Sequence, residues 1–210
     1  MSRSLSYSVL VALTLFLSGC AGFSTPPEPI AAPDSWSSHE QQLLATNQWR
    51  LTGKIGIRNS RESHSASLYW QQLQEHYEIE LSGPFGQGGA RIEGNGGGVM
   101  IDVAGEEPVH ALSPELLMQR TLGWQFPIRE LLYWVKGIPA PGLPYAPEFA
   151  DNRLQNLTQK GWQIKYLRYT HADGVDLPGK LIISRGDLRI TIVAKEWQIA
   201  AQNGRFSATN

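Results

Sequence analysis

From residue 49 onward, the chain is dominated by short segments in which apolar and polar residues alternate. A period of two is typical of a β-strand that buries one side and leaves the other in water. The alternating apolar residues include Trp49, Leu51, Ile55 and Ile57; Ala66, Leu68 and Trp70; Tyr77, Ile79 and Leu81; Ala90 and Ile92; Trp162, Ile164 and Tyr166; and Leu181, Ile183, Leu188, Ile190 and Ile192. Many of these segments follow one another with short breaks, so they predict consecutive antiparallel strands and disfavour a doubly covered parallel sheet of the Rossmann type.

Three segments break this alternation and predict helices. Ser37 begins a capping box before a short helical run. Ser113 is a good N-cap in front of Pro114, which suits the first helical turn. Pro127 can begin a third helix with one apolar side. The prolines between residues 139 and 147 then predict a long exposed connection before the strands resume.

The last strand changes parity, because Leu188, Ile190 and Ile192 are followed by Trp197 and Ile199, and this predicts a β-bulge near Lys195. The fold class is therefore mainly β (α+β), with about nine to eleven antiparallel strands and about three helices to cover them. Such a sheet has to curl around its apolar face, with the helices closing the open side. Its interior is then either a packed core or an apolar cavity, and the pattern leaves both open.

The N-terminal residues predict export. An apolar run between Leu5 and Leu17 follows Arg3, and it is shorter than the roughly 20 residues of a membrane-spanning helix. It reads as a secretory signal peptide. The run ends in Leu17-Ser18-Gly19-Cys20, which resembles the bacterial lipoprotein lipobox and includes the only cysteine of the chain. Because a lone cysteine has no intramolecular disulfide partner, we expect Cys20 to be lipidated after removal of residues 1–19.

The residues after Cys20 predict a spacer. Residues 20–34 contain four prolines among small residues, and such stretches are extended and solvated. We expect this tether to carry one domain over residues 35–200, followed by a C-terminal tail over residues 201–210. In the bacterial sorting rule that this arrangement resembles, Asp after the cysteine favours inner-membrane retention, so Ala21 points to the outer membrane.

Composition and motifs disfavour several other classes. The formal net charge of −1 gives no basic face for nucleic acid. The glycines near residues 86–88 and 96–98 have neither the Lys-Ser/Thr of a phosphate loop nor a following helix. We expect no metal, cofactor or catalytic site, because acidic residues such as Glu78 and Glu80 fall on the wet side of the alternation and the histidines are scattered. The histidines are His39, His64, His76, His110 and His171.

The order of several short motifs resembles the LolB family of outer-membrane lipoproteins. These motifs follow the lipobox and the Pro-rich tether. They are Trp70-Gln71 on an early strand, Gly83-Pro84-Phe85-Gly86 between strands, the segment from Pro127 to Trp134-Val135-Lys136-Gly137, the late Leu177-Pro178, and Lys195-Glu196-Trp197. No single motif is specific for the family, but the order in which the motifs follow one another is. The resemblance covers nearly all of the expected domain.

The resemblance implies an unclosed antiparallel β-barrel with a helical lid around a hydrophobic cavity. It also implies a protruding loop with an exposed apolar residue, and Pro84, Phe85 and Gly86 occupy that position, with an aromatic ring where leucine is familiar. The residues expected to face the lid, some of which would line the acyl-chain cavity, are Trp49, Leu51, Leu68, Trp70, Tyr77, Ile79, Leu81, Leu131, Trp134 and Ile164. For each of them, plain core packing stays an alternative.

The resemblance implies that the protein takes acylated lipoproteins from a LolA-like periplasmic carrier and inserts them into the inner leaflet of the outer membrane. It also implies a lipid-anchored monomer that faces the periplasm and contacts the phospholipid of the outer membrane. Two other classes stay open. A lipid-anchored cell-wall enzyme would need a polar cleft with an acid or nucleophile. A structural or assembly lipoprotein of the envelope, without lipid transfer, would need a packed core and no cavity. Phe85 likewise either stands exposed or folds back to plug the barrel mouth.

Overall fold

A computed structural model describes residues 32–83, 88–113, 115, 117, 127–200 and 206. In this part of the chain, helix α1 spans Trp36–Ala45 and helix α2 spans Ile128–Trp134. The strands are β1 Gln48–Arg58, β2 Ser63–Leu73, β3 His76–Ser82, β4 Gly89–Asn95, β5 Gly98–Val103, β6 Val109–Ala111, β7 Tyr145–Ala150, β8 Arg153–Gln159, β9 Trp162–Ala172, β10 Val175–Arg185 and β11 Leu188–Ile199. The predicted signal peptide, most of the predicted tether, and Pro84, Phe85 and Gly86 lie outside the described residues.

All of these strands belong to one antiparallel sheet of 11 strands. The spatial order is β6-β5-β4-β3-β2-β1-β11-β10-β9-β8-β7, so each strand pairs with its sequence neighbour except at the junction of β1 with β11. Strands β6 and β7 are the two edges, and they do not pair with each other. The expected unclosed antiparallel sheet is confirmed.

One face of the sheet carries the core. Along β2, Leu68, Trp70 and Gln72 are buried, whereas the residues between them are half-buried. The same alternation on β1, β9, β10 and β11 directs their apolar residues into one continuous cluster with α2. A single apolar face thus organises the fold, as a curled sheet with one wet side requires.

The predicted bulge in the last strand is confirmed. Thr52 pairs with Glu196 and Gly53 pairs with Ala194, so Lys195 is the extra residue opposite them. At this point the backbone of β11 approaches β1 closely: a Cβ on Gly53 would lie 2.2 Å from the carbonyl oxygen of Val193. Only glycine fits this position without a shift of the backbone.

The helices lie where the sequence pattern places them, but the N-cap of α1 is Ser35 and not the predicted Ser37, which lies inside the helix because α1 begins at Trp36. The side chain of Ser35 caps α1 by accepting a hydrogen bond from the backbone N–H of Ser38 at 3.1 Å. Glu115 and Leu117 are helical, and they are the described residues of the helix predicted after Ser113. No helix in the described ranges is long and apolar enough to cross a membrane.

One prediction is partly wrong. The proline-rich segment is predicted to be a long exposed connection, and Pro141, Pro144 and Pro147 are exposed, but Pro139 is buried together with Ile138 and Ala140. Pro147 belongs to the edge strand β7, where its missing N–H does no harm on an exposed strand. The buried part is held by the side chain of Gln159 on β8, a contact that sequence spacing does not reveal.

Candidate functional site

The inner face of β1, β2 and β11 is built around three tryptophans. The ring of Trp49 lies 5.2 Å from the ring of Trp70 and 5.2 Å from the ring of Trp197, in tilted and edge-on arrangements. Such geometries are favourable for aromatic pairs. The indole N–H of Trp197 donates to the carbonyl oxygen of Pro178 at 2.9 Å. This aromatic cluster forms the floor of the interior.

The residues expected to face the lid all lie in or against one core. Nine of them are buried, namely Trp49, Leu51, Leu68, Trp70, Tyr77, Ile79, Leu131, Trp134 and Ile164, and Leu81 is partly buried against them. Trp49 and Tyr77 also line a cleft. The others are placed as packed core residues, so their part in binding acyl chains stays a prediction.

That cleft has a volume of about 500 Å³ and lies between α2 and the end of the sheet that carries the β2–β3 and β4–β5 turns. Apolar side chains that are exposed or half-buried border it, including Leu44, Leu112, Leu132 and Tyr133. Three polar side chains with little exposure, Gln72, Tyr77 and Lys136, also line it. Further polar residues, including Asn47, Glu75 and Arg129, complete the lining, so the cleft has apolar and polar walls in similar measure.

Lys136 is a buried cation in this cleft. It is 6% exposed, and its Nζ donates to the carbonyl oxygens of Leu43 at 2.8 Å and Thr46 at 3.0 Å. These carbonyls lie at the C-terminal end of α1, where a cation is favourable. Among the described carboxylates none lies within 4 Å of Nζ, and burial lowers the pKa of Lys136 to about 8. Lys136 therefore fastens α1 to α2 at the cost of a desolvated charge.

This burial predicts a pH dependence of stability. The folded-state pKa lies below the ordinary value of about 10.4, so the unfolded chain binds more protons between pH 8 and pH 10, and stability should rise with pH in that window by about 2 kcal/mol. The measurement is urea unfolding of the wild type and of Lys136→Met at pH 7.5, 9 and 10. If the two proteins show the same slope with pH, Lys136 is not the titrating group.

Tyr77 supplies a neutral hydroxyl to the same cleft. Burial raises the pKa of Tyr77 to about 12, with a smaller contribution from Glu115. Its ring covers Gly94, where a Cβ would come within 2.3 Å of the hydroxyl oxygen. At neutral pH the phenol is therefore protonated and held in place.

Gln159 fastens α2 and the segment after it to β8. Its Oε1 accepts hydrogen bonds from the indole N–H of Trp134 at 2.7 Å and from the backbone N–H of Ala140 at 2.9 Å. Its Nε2 donates to the carbonyl oxygens of Ala140 at 2.8 Å and Leu143 at 3.4 Å. One buried amide thus holds α2 and the segment that follows it against the sheet.

A second cleft, of about 650 Å³, lies along β4, β5 and β6 and includes His76, Glu93 and His110. His76 Nε2 lies 3.5 Å from a carboxylate oxygen of Glu93. In the described part of the chain, no three His, Cys, Asp or Glu side chains come together as a metal site would need.

The sequence patterns missed the polar part of the site. Lys136 stands in one of the family-like motifs, but nothing in its spacing predicts a buried cation. Gln72 stands at an inward position of β2, two residues after Trp70. A polar residue at a strand position that otherwise carries buried apolar residues is the sequence signal that could have identified Gln72. Gln159 gives the same signal on β8.

Comparisons with known proteins support the resemblance. The family model for the outer membrane lipoprotein LolB matches residues 47–197. The outer-membrane lipoprotein LolB of Pseudomonas putida (strain GB-1) is 41% identical over 197 residues, covering 92% of this chain and 96% of that protein. The protein of the same name from Pseudomonas paraeruginosa (strain DSM 24068 / PA7) is 45% identical over 185 residues, covering 87% of this chain and 90% of that protein.

Solved structures agree on the fold. A LolA superfamily protein from Nitrosomonas europaea aligns with a TM-score of 0.51 at 10% identity, covering 86% of this chain and 99% of that one. A putative outer membrane lipoprotein-sorting protein domain from Vibrio parahaemolyticus aligns with a TM-score of 0.53 at 6% identity, covering 80% of this chain and 96% of that one. With the sequence relatives, these matches confirm the resemblance drawn from the motifs: the chain belongs to the LolB family of outer-membrane lipoproteins.

Proposed function

We propose that this protein is the outer-membrane receptor of lipoprotein localisation. It takes acylated lipoproteins from a LolA-like periplasmic carrier and inserts them into the inner leaflet of the outer membrane. The observation that carries the proposal is the cleft bordered by Leu44, Leu112 and Leu132, which opens onto the aromatic inner face of a curled sheet in a LolB-family chain. Acyl chains lie along that face, between the lid helices and the sheet.

Energetics explains why such a receptor is needed. At about 0.8 kcal/mol per CH₂, one sixteen-carbon chain in water costs about 12 kcal/mol, so acylated cargo has to stay covered. Transfer needs no nucleotide if affinity increases from carrier to receptor to bilayer. A difference of a few kcal/mol at each step is enough. The proposed function therefore requires binding and release and no catalysis.

The proposal extends to the anchor and the tether. Lipidation at Cys20 and the spacer of residues 20–34 hold the domain of residues 35–200 as a monomer within about 30 to 40 Å of the bilayer, at about 3.1 Å per extended residue. This reach lets the domain meet a soluble carrier and then return to the membrane phospholipid. The competing class is a structural envelope lipoprotein, which would bind no acyl chains.

A reconstituted transfer assay tests the proposal. A carrier loaded with radiolabelled triacylated lipoprotein is mixed with liposomes that bear the full-length lipidated protein, and cargo is followed from carrier to liposome. We expect delivery to depend on the receptor, with a transient complex of cargo and receptor. A receptor that neither accepts cargo nor speeds delivery would indicate the structural class.

A substitution in the loop between β3 and β4 separates the two halves of the reaction. Phe85→Glu should accept cargo from the carrier normally but deliver it to liposomes at less than about a tenth of the wild-type rate, because an inserted aromatic ring contributes roughly 1.5 to 3 kcal/mol at the bilayer. Leu167→Glu, on an exposed apolar residue of β9, is the matched control and should deliver normally.

Two results would contradict this role. Delivery at the normal rate would show that Phe85 does not insert. Failure to accept cargo at all would instead indicate that Phe85 covers the mouth of the barrel.

A further inference from the structure

Gln72 is a polar residue on the apolar face of the sheet. It is 6% exposed and lies between two aromatic residues, pairing with Trp49 on β1 and with Tyr77 on β3. All three line the cleft. A buried amide among aromatic rings needs hydrogen-bond partners for both of its ends.

Only one end of the Gln72 amide has a partner. Its Nε2 donates to the carbonyl oxygen of Gln74 at 2.6 Å, and this contact fixes which end is the oxygen. Its Oε1 is buried and accepts no hydrogen bond from any described residue. Gln72, a residue of the cleft wall, therefore holds a buried acceptor that lacks a donor among the described residues.

Trp70 has the complementary deficiency. It is 1% exposed, and its indole N–H finds no acceptor in the described part of the chain. The indole N–H groups of Trp134 and Trp197, by contrast, both reach acceptors. A buried N–H without an acceptor is costly and uncommon, and it indicates a place that a ligand can complete.

The two groups stand next to each other on one strand. Trp70 and Gln72 are two residues apart on β2, so both face the interior with their backbone positions about 7 Å apart. A trans amide carries its carbonyl oxygen and its N–H on opposite edges, so one amide can accept from one group and donate to another. Its carbonyl can accept from Trp70 while its N–H donates to Gln72.

We propose that Gln72 and Trp70 form a subsite for the amide that joins an acyl chain to the N-terminal cysteine of a triacylated lipoprotein. This inference rests on the proposed function, which supplies the class of ligand. The acyl chain enters the apolar interior, and the amide at its head bridges Trp70 Nε1 and Gln72 Oε1 beside the cleft. No covalent bond forms or breaks.

Such a subsite distinguishes cargo from the lipid that surrounds the receptor. The acyl chains of a glycerophospholipid are joined by esters, which can accept from Trp70 but offer no N–H to Gln72. Binding an ester would leave Gln72 Oε1 buried and unpaired. A site that accepts a hydrogen bond from a ligand N–H therefore rejects the analogue without that N–H. The receptor is thereby kept from filling with membrane phospholipid.

The test compares two lipopeptides that differ at one atom. One carries the N-acyl amide of a triacylated cysteine, and in the other an oxygen replaces that N–H. Both have a brominated acyl chain, so that binding to the detergent-solubilised full-length protein quenches tryptophan fluorescence. We expect the wild type to bind the amide about tenfold more tightly than the ester.

Variants assign the preference to its residues. Gln72→Met keeps the length of the side chain without the acceptor, and it should bind both lipopeptides with the weaker affinity of the ester. Trp70→Phe should weaken both by a similar factor, because both carry the carbonyl. Gln71→Met is the matched control: it lies on the same strand outside the buried face, pairs with Arg50 and Tyr69, and should keep the wild-type preference.

The outcomes separate this inference from the proposed function. If the wild type binds neither lipopeptide, the receptor function is wrong. If it binds both equally, the receptor stands and the amide subsite is overturned, a comparison that holds even if Gln72→Met fails to fold. If phosphatidylethanolamine competes as well as the unlabelled amide lipopeptide, a headgroup ammonium supplies the donor and the amide subsite is again overturned.

Discussion

Gln159→Leu is expected to lower the free energy of unfolding by about 4 kcal/mol, since it leaves several buried polar groups unpaired at once. The groups are the indole N–H of Trp134 and the N–H and C=O of Ala140. In the folded protein, each of these groups is hydrogen-bonded to the amide of Gln159, which is 1% exposed. Water cannot replace this amide unless α2 and the segment after it move away from the sheet. Urea unfolding followed by tryptophan fluorescence measures the loss.

Two comparisons sharpen this prediction. Gln163→Leu, an exposed position on β9, should change stability by less than about 0.5 kcal/mol. Adding Trp134→Phe should cost less in the Gln159→Leu background than in the wild type, because the unpaired N–H is then removed. Additive losses, or a loss below 1 kcal/mol, would mean that the amide does not hold the lid.

Gly53→Ala is expected to destabilise the protein by about 3 kcal/mol, through a collision between backbones rather than a lost contact. The new Cβ would lie 2.2 Å from the carbonyl oxygen of Val193, opposite the bulge at Lys195. Neither strand can give way alone, because β1 and β11 are hydrogen-bonded on both sides. Thermal unfolding of the purified protein measures the change.

Gly56→Ala is the control on the same strand. A Cβ there would meet only the carbonyl oxygen of His64 at 3.9 Å, an ordinary contact, so this variant should keep or slightly raise the stability. Equal effects of the two substitutions would show that the loss comes from the strand propensity of glycine and not from the close approach at the bulge.

Alternation predicted the sheet well because it reports a local property, the side of the strand on which each residue falls. It located the change of parity at Lys195 and the buried positions Leu68 and Trp70 of β2. It failed where burial depends on distant partners: Pro139 is buried because Gln159 reaches the neighbouring backbone. The same limit applies to the site, since the burial of Lys136 depends on carbonyls 90 and 93 positions away along the chain.

The residues predicted to bind acyl chains show a second limit of prediction from the sequence. Trp49 and Tyr77 border the cleft while Leu51 and Ile164 are enclosed, although all four have the same apolar parity. Whether an inward residue meets empty space or another side chain is decided by the volumes of its neighbours across three strands and a helix. A single sequence carries no direct record of those volumes.

The junction of β1 with β11 joins two halves that are otherwise built from neighbours along the chain. Its partners, from Trp49 with Ile199 to Arg58 with Arg189, are separated by roughly 130 to 150 residues, and closing a loop of that length costs about 4 kcal/mol in chain entropy. Among the described strands, the one that completes the junction comes last along the chain. The two halves therefore cannot join until that strand is available, so the pairing that unites the sheet has to form late in folding.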